Sequence, residues 1–196
     1  MSGKIVVMGA SHGGPAVLPT ILRSLPQDYP LPILLVQHIG PGRSAEFAGW
    51  LGGKTHLPVR EAADGEIAPT GAVLVAAADR HLVLCEGGRI VLRDESPVNG
   101  CRPSVDVLFQ SGARVYREDC LAVLLAGLGE DGARGAGAVQ DHGGRVIVLD
   151  EASSQVFGMN RVAIEMGHAD FVGPPERLAD EILRWAGLAV AGDGEG

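Results

Sequence analysis

The segment from Lys4 to Leu25 constrains this chain more than any other. Lys4-Ile5-Val6-Val7-Met8 is short, mostly apolar and rich in β-branched residues, which predicts a buried strand. Gly9-Ala10-Ser11-His12-Gly13-Gly14 follows, and then Pro15, whose fixed φ and missing N–H suit the first turn of a helix. Strand, sharp turn and helix together place the Ser11 hydroxyl at the positive end of a helix, beside free backbone N–H groups. That geometry suits a nucleophile, and it equally suits a bound phosphate. Two phosphate motifs fail on the letters. The dinucleotide fingerprint G-x-G-x-x-G lacks its second glycine, because Ser11 stands there. The P-loop lysine is missing, since the turn ends in Gly13-Gly14-Pro15. The nucleophile elbow G-x-S-x-G is met by Gly9, Ser11 and Gly13. An α/β-hydrolase, however, needs several strands before its elbow and its histidine last, so that His142 or His168 would have to serve. Here one strand precedes the turn, which argues against that fold.

The rest of the chain alternates strands and helices. Helix is predicted from Ala16 to Leu25, with Pro19 one turn in. Ile33-Leu34-Leu35-Val36 reads as a second buried strand, and Ser44 as the N-cap of a helix through Leu51. Between Gly52 and Arg93 lie four short β runs, Val59–Glu61, Ala72–Val75, His81–Leu84 and Ile90–Leu92. Gly87-Gly88 marks a hairpin between the last two. A helix follows with Pro103 in its first turn and Val105, Leu108, Phe109, Gly112, Val115 and Tyr116 on its inner face. Leu121–Ala126 is the most hydrophobic strand, buried on both faces. It ends in Gly127-Leu128-Gly129-Glu130-Asp131-Gly132, and an Ala/Gly-rich helix runs on to about His142. Val146–Leu149 is a strand, Ser153 to Gly167 mixed loop and helix, and Phe171-Val172 a short strand. Pro175 opens a last helix with Leu178, Ile182 and Trp185 on one face. The expected fold is α/β: a doubly wound, mostly parallel sheet with helices on both faces and a small antiparallel hairpin extension. It forms one domain over residues 1–190, and 191–196 lacks core residues and should fray.

Bulk properties exclude several functions. Forty-six per cent hydrophobic residues in 196 describe a folded globular chain. A net charge of −8 argues against a nucleic-acid binder, which needs a basic footprint. No apolar run approaches a membrane span, and no secretory pattern opens the chain. Cys85, Cys101 and Cys120 are odd in number and lack CxxC spacing. They read as reduced thiols of a cytoplasmic protein, with no disulfide frame and no metal site.

Ligands in doubly wound sheets bind beyond the carboxyl ends of the strands. Ser11 follows the first strand, His38 ends the second, and Asp131 follows the fifth or so. These are the residue types of a nucleophile, a base that takes its proton, and a carboxylate that fixes the base's tautomer. Each also has a plainer role: Ser11 in a phosphate turn, His38 as a hydrogen-bonded strand end, Asp131 as an N-cap.

Six segments in order resemble a known family: GASHGGP from Gly9, VQHIGPG from Val36, APTGAVLVAAADRHL from Ala68, VNGCRPSVDVLF from Val98, GLGEDGARG from Gly127 and DEASSQVFGM from Asp150. They are similar to the catalytic domain of the chemotaxis receptor methylesterases, which are protein-glutamate methylesterases and glutamine deamidases. The resemblance runs from about Ile5 to Pro174. It implies a Ser11–His38–Asp131 triad, a backbone oxyanion donor at Leu128, and no metal or organic cofactor. The implied substrate is a γ-glutamyl methyl ester on the cytoplasmic helices of a methylated chemoreceptor. The implied partners are that receptor, with a separate receiver or signalling protein as a further candidate, and no nucleic acid and no membrane insertion.

The sequence departs from the family pattern at two places. His12 follows the serine where a small residue is usual, and Gly158-Met159-Asn160 stands where Gly-Met-Pro is usual. The receiver domain such enzymes usually carry is not in this sequence, which fits a free-standing member or part of a longer chain. His12, His81, Arg102 and Met159 are candidates to line the cleft, against structural roles for each. A catalytically weak regulatory or binding module of the same fold, and a small-molecule serine esterase, stand as alternatives.

Overall fold

Strand β1 (Ile5–Ala10) lies at the centre of a seven-stranded sheet, and its six residues are buried. The structure is a computed structural model that describes residues 3–190. The other strands of this sheet are β2 (Ile33–Gln37), β3 (Val59–Glu61), β4 (Val73–Val75), β7 (Cys120–Leu124), β8 (Arg145–Leu149) and β9 (Phe171–Gly173). Their order is β3-β4-β2-β1-β7-β8-β9, and every pairing is parallel. Strands β5 (His81–Cys85) and β6 (Arg89–Arg93) form the expected antiparallel hairpin apart from the sheet, turning through Gly87 and Gly88, both at positive φ.

Burial on both faces follows from alternation along each strand. Val6 and Met8 of β1 join one apolar cluster, and Ile5 and Val7 join the other. The first cluster is covered by α1 (Gly14–Arg23), α2 (Ser44–Gly52) and α6 (Pro175–Trp185), through Leu18, Ile21, Leu51, Leu178 and Ile182. The second is covered by the hairpin and by α3 (Val105–Tyr116), α4 (Ala133–Asp141) and α5 (Met159–Glu165), through Leu82, Phe109, Ala136 and Met159. The doubly wound arrangement with helices on both faces is therefore as the sequence predicts. No helix of the described residues is long and apolar enough to cross a membrane.

Three local expectations change. Helix α1 starts at Gly14, so Pro19 lies inside it; the helix still continues to Arg23, with Val17, Leu18, Ile21 and Leu22 buried. Ser44 is the first helical residue of α2 and makes no capping bond. Its hydroxyl instead donates to Glu61 and accepts from the Ala78 N–H at 3.0 Å, tying α2 to the β3 and β4 ends. Pro103 precedes α3, whose N-cap is Ser104, accepting from Val107 N. The frayed tail expected over residues 191–196 lies outside the described residues.

The chain runs from β1 to β2, on to the edge strand β3 and back to β4 between them, then crosses to β7, β8 and β9. The strand order thus reverses at β1, where such sheets open a crevice at their carboxyl edge.

Candidate active site

The carboxyl ends of three adjacent strands, β2, β1 and β7, carry His38, Ser11 and the loop with Asp131. Strand β7 is the fifth of the large sheet in chain order, as expected. The Ser11 turn is pinned on all sides. Ser11 N donates to Ala126 O at 2.9 Å, Gly14 N to Ser11 O at 3.0 Å, and Gln37 Nε2 to Ser11 O at 2.8 Å. Gly13 takes φ +95, which favours glycine, and a Cβ there would meet Gln155 and Ala126. Gly127 brings the β7 loop against the turn: a Cβ on it would lie 2.5 Å from Ser11 Cβ and 2.4 Å from Met159 Sδ.

His38 Nε2 donates to Asp131 Oδ2 at 2.9 Å. Asp131 is 2% exposed and gathers other donors: Ser104 Oγ to Oδ1 at 2.7 Å, Val105 N to Oδ2 at 2.7 Å, Asp106 N to Oδ1 at 3.1 Å and Asn99 Nδ2 to Oδ1 at 3.3 Å. Burial pushes its pKa up, but His38, Ser104 and the two backbone N–H groups outweigh burial and hold it below the usual carboxylate value. For His38, burial acts downward, and its hydrogen bonds with Asp131 and Cys101 overcome it and raise the pKa to about 9. With Nε2 on the carboxylate, Nδ1 is the remaining ring nitrogen, and Cys101 Sγ lies 3.8 Å from it.

Ser11 and His38 line one cavity of about 510 Å³ with His12, Gln37, Ile39 and Gln155. Ser11 Oγ makes no hydrogen bond among the described residues. The His12 and Leu128 backbone N–H groups have no partner among the described residues, and so remain available to an incoming oxygen. Leu128 is itself 69% exposed. Next to this cavity, Ile39, Phe47 and Trp50 line a trough of about 360 Å³ that shares Pro15 with it.

The other candidates separate. The His12 side chain is exposed on the cavity wall and does not take the place of His38 beside Asp131. His142 is remote, its Nδ1 2.8 Å from Ala138 O. His81 is not on the cleft wall. It is fully buried, accepts from Ser104 N on Nδ1 at 3.2 Å and bonds Ser96 O through Nε2 at 3.1 Å. Its role is to seat Ser104, the residue that donates to Asp131. Met159 is also fully buried and packs under Gly127, a core position. Arg102 bonds Asp94 Oδ1 at 2.8 Å and Glu95 O at 2.9 Å, and lines with His38 a separate cavity that Ser11 does not line. Asn160, at the unusual position, bonds Leu149 O at 3.0 Å and Ser154 Oγ at 2.7 Å, which holds the loop that leads to Gln155.

Sequence reasoning missed Gln37, Asn99, Ser104 and Asp106 as supports of the site. Gln37 had a readable signal, a polar residue closing an otherwise apolar strand. The others act through distant partners and had none.

These features define the class: a doubly wound α/β domain with a serine turn and a His–Asp pair over the carboxyl edge of its central strands. The CheB methylesterase family profile matches residues 6–182, and the chain belongs to that family. It is 49% identical over 175 residues to protein-glutamate methylesterase/protein-glutamine glutaminase 2 of Anaeromyxobacter dehalogenans, covering 89% of this chain and 51% of that protein. It is 40% identical over 186 residues to protein-glutamate methylesterase/protein-glutamine glutaminase of Thermotoga maritima, covering 93% of this chain and 54% of the relative. The chain thus spans about half the length of these curated relatives. The crystal structure of the Thermotoga maritima CheB methylesterase catalytic domain superposes with a TM-score of 0.90 at 40% identity, covering 94% of this chain and 99% of that one.

Proposed function

We propose that this domain is a serine hydrolase that demethylates glutamyl methyl esters, and deamidates glutamines, on chemoreceptor-type proteins. The observation that carries the reading is the His38–Asp131 bond beside the Ser11 turn, in a chain of this family. Ser11 Oγ attacks the ester carbonyl as its proton passes to His38 Nδ1. Asp131, held by its donors, keeps the proton on Nε2 and stabilises the cation that forms. The oxyanion sits against the N–H groups of Leu128 and His12. His38 returns the proton to the methoxy oxygen, and methanol leaves. Water then attacks the acyl-enzyme, giving its proton to Nδ1, and Ser11 is regenerated with a free glutamate. With a glutamine substrate the first leaving group is ammonia. Catalysis requires Ser11 Oγ to come within hydrogen-bond reach of Nδ1 as substrate binds, since such bonds tighten in the Michaelis complex. A receptor helix presenting the ester lies along the Phe47–Trp50 trough.

The experiment is methanol release from a methylated receptor. Wild type should release methanol, and Ser11→Ala should lose at least about 10³-fold in kcat. Equal inactivity of both proteins across several methylated receptors overturns the reading, and much faster turnover of small esters than of receptor would favour a small-molecule esterase.

A further inference from the structure

One group of side chains among the described residues is spaced to hold a metal ion: His38, Cys101 and Asp131, with one donor atom from each all within 4.8 Å of one another. Cys101 Sγ lies 3.8 Å from His38 Nδ1. Bonds of about 2.3 Å to sulfur and about 2.0 Å to nitrogen, meeting at a tetrahedral angle on zinc, set the two donors about 3.5 Å apart. The pair is therefore already near its ligating separation. The opposite nitrogen, Nε2, bonds Asp131, the carboxylate–histidine–zinc arrangement that fixes the ring and makes the free nitrogen a better donor. Asp131 itself stays outside the ligand set, because its oxygens already accept from Ser104, Val105, Asp106 and Asn99.

Cys101 is also pre-placed and reachable. Its N–H and C=O both bond Val98, at 2.9 and 3.0 Å, across a turn with Asn99 and Gly100 at positive φ. With His38 it lines a cavity of about 230 Å³, bounded by Pro41, Asp79 and Arg102, which admits an ion and the waters that complete its coordination. Thiolate and imidazole together favour zinc over magnesium or calcium. The two donors are 63 positions apart in the chain, so no ligand spacing shows in the sequence.

We propose that His38 Nδ1 and Cys101 Sγ form a zinc site that switches the hydrolase off by occupying the lone pair needed for the Ser11 proton. The inhibition rests on the reading of His38 as base; the binding does not. Zinc displaces the thiol proton, and the imidazole proton where His38 is cationic, so it binds more tightly as pH rises.

Cobalt, the spectroscopic substitute for zinc, tests the binding in the intact chain. One Co²⁺ per chain should give thiolate-to-cobalt charge-transfer absorption in the near ultraviolet, removed by one equivalent of zinc. The band should vanish in Cys101→Ser, and His38→Gln should weaken binding by more than about tenfold, at least the loss that outer partners of metal sites cause. In parallel, the zinc concentration that halves ester hydrolysis should rise more than about tenfold in Cys101→Ser. Absence of the band, a band that survives Cys101→Ser and so belongs to Cys85 or Cys120, or equal zinc sensitivity of the two proteins overturns the proposal. If wild type without metal hydrolyses no ester, the functional reading fails, and the cobalt spectrum alone then upholds or overturns the site.

Discussion

Asp131 and Asp106 each serve the helix that the other begins. Asp131 stands just before α4, yet it accepts the Val105 and Asp106 N–H groups at the start of α3. Asp106, in the first turn of α3, accepts the Gly132 and Gly135 N–H groups at the start of α4, at 2.9 and 2.6 Å. The exchange requires the two helix N-termini to meet. Gly135 permits this, since a Cβ there would lie 2.7 Å from Phe109 Cβ and 3.0 Å from the Asp106 Cα. Two partly positive helix ends thus surround two carboxylates and fix the one that holds His38.

Removing Asp106 should therefore unfold the site from beneath. Asp106→Ala leaves two buried helix-start N–H groups unpaired and should cost about 2–4 kcal/mol, read from urea denaturation. Asp106→Asn should cost less, because its amide oxygen can still accept from both glycines. Equal stability of Asp106→Ala and wild type would show that the exchange contributes nothing.

The pH dependence has opposite signs for activity and stability. The base must be neutral, and His38 titrates at about 9, so kcat/KM should rise about tenfold per pH unit toward that value. The same raised pKa contributes stability that is full below the ordinary value of 6.5 and is lost as pH rises through about 9. Cys101→Ala, removing one of the groups that raise it, should move the kinetic midpoint to lower pH. A flat kcat/KM between these values would sink the assignment of His38 as base.

Gly127 should tolerate no side chain. Gly127→Ala forces a methyl onto Ser11 Cβ, a short and stiff neighbour, and onto the flexible end of Met159. We expect a loss of about 1–3 kcal/mol and a fall in kcat larger than the change in KM, because Ser11 is displaced. Steady-state kinetics beside thermal denaturation separates the two effects.

Trp50 is 42% exposed beside the serine cavity. Trp50→Ala should raise KM for methylated receptor several-fold and leave hydrolysis of a small methyl ester unchanged. Equal effects on both substrates would place the trough outside receptor binding.

Much of the fold was legible because its signals are local. Apolar β runs alternating with helical periods predicted the parallel sheet, and Gly87-Gly88 predicted the hairpin. The placement of Ser11, His38 and Asp131 on one edge was legible because strand ends of a doubly wound sheet share one rim. The errors came where a side chain served a distant partner. Ser44 reads as a cap and instead ties α2 to Glu61 and Ala78. His81, a cleft candidate against a structural role, takes the structural one and seats Ser104 from the core.

By itself the sequence determined the order of strands and helices, the turn that lifts Ser11 onto a helix start, and the family. The first two follow from backbone preference and hydrophobic period, which neighbouring residues set, and the family from the resemblance of six segments in order. Only the tertiary structure decided which ring nitrogen of His38 meets Asp131, which helix each aspartate caps, and that Cys101 stands beside His38. These are contacts between residues 25 to 93 positions apart. They exist because parallel strands bring distant loops to one edge, a proximity that no local pattern encodes.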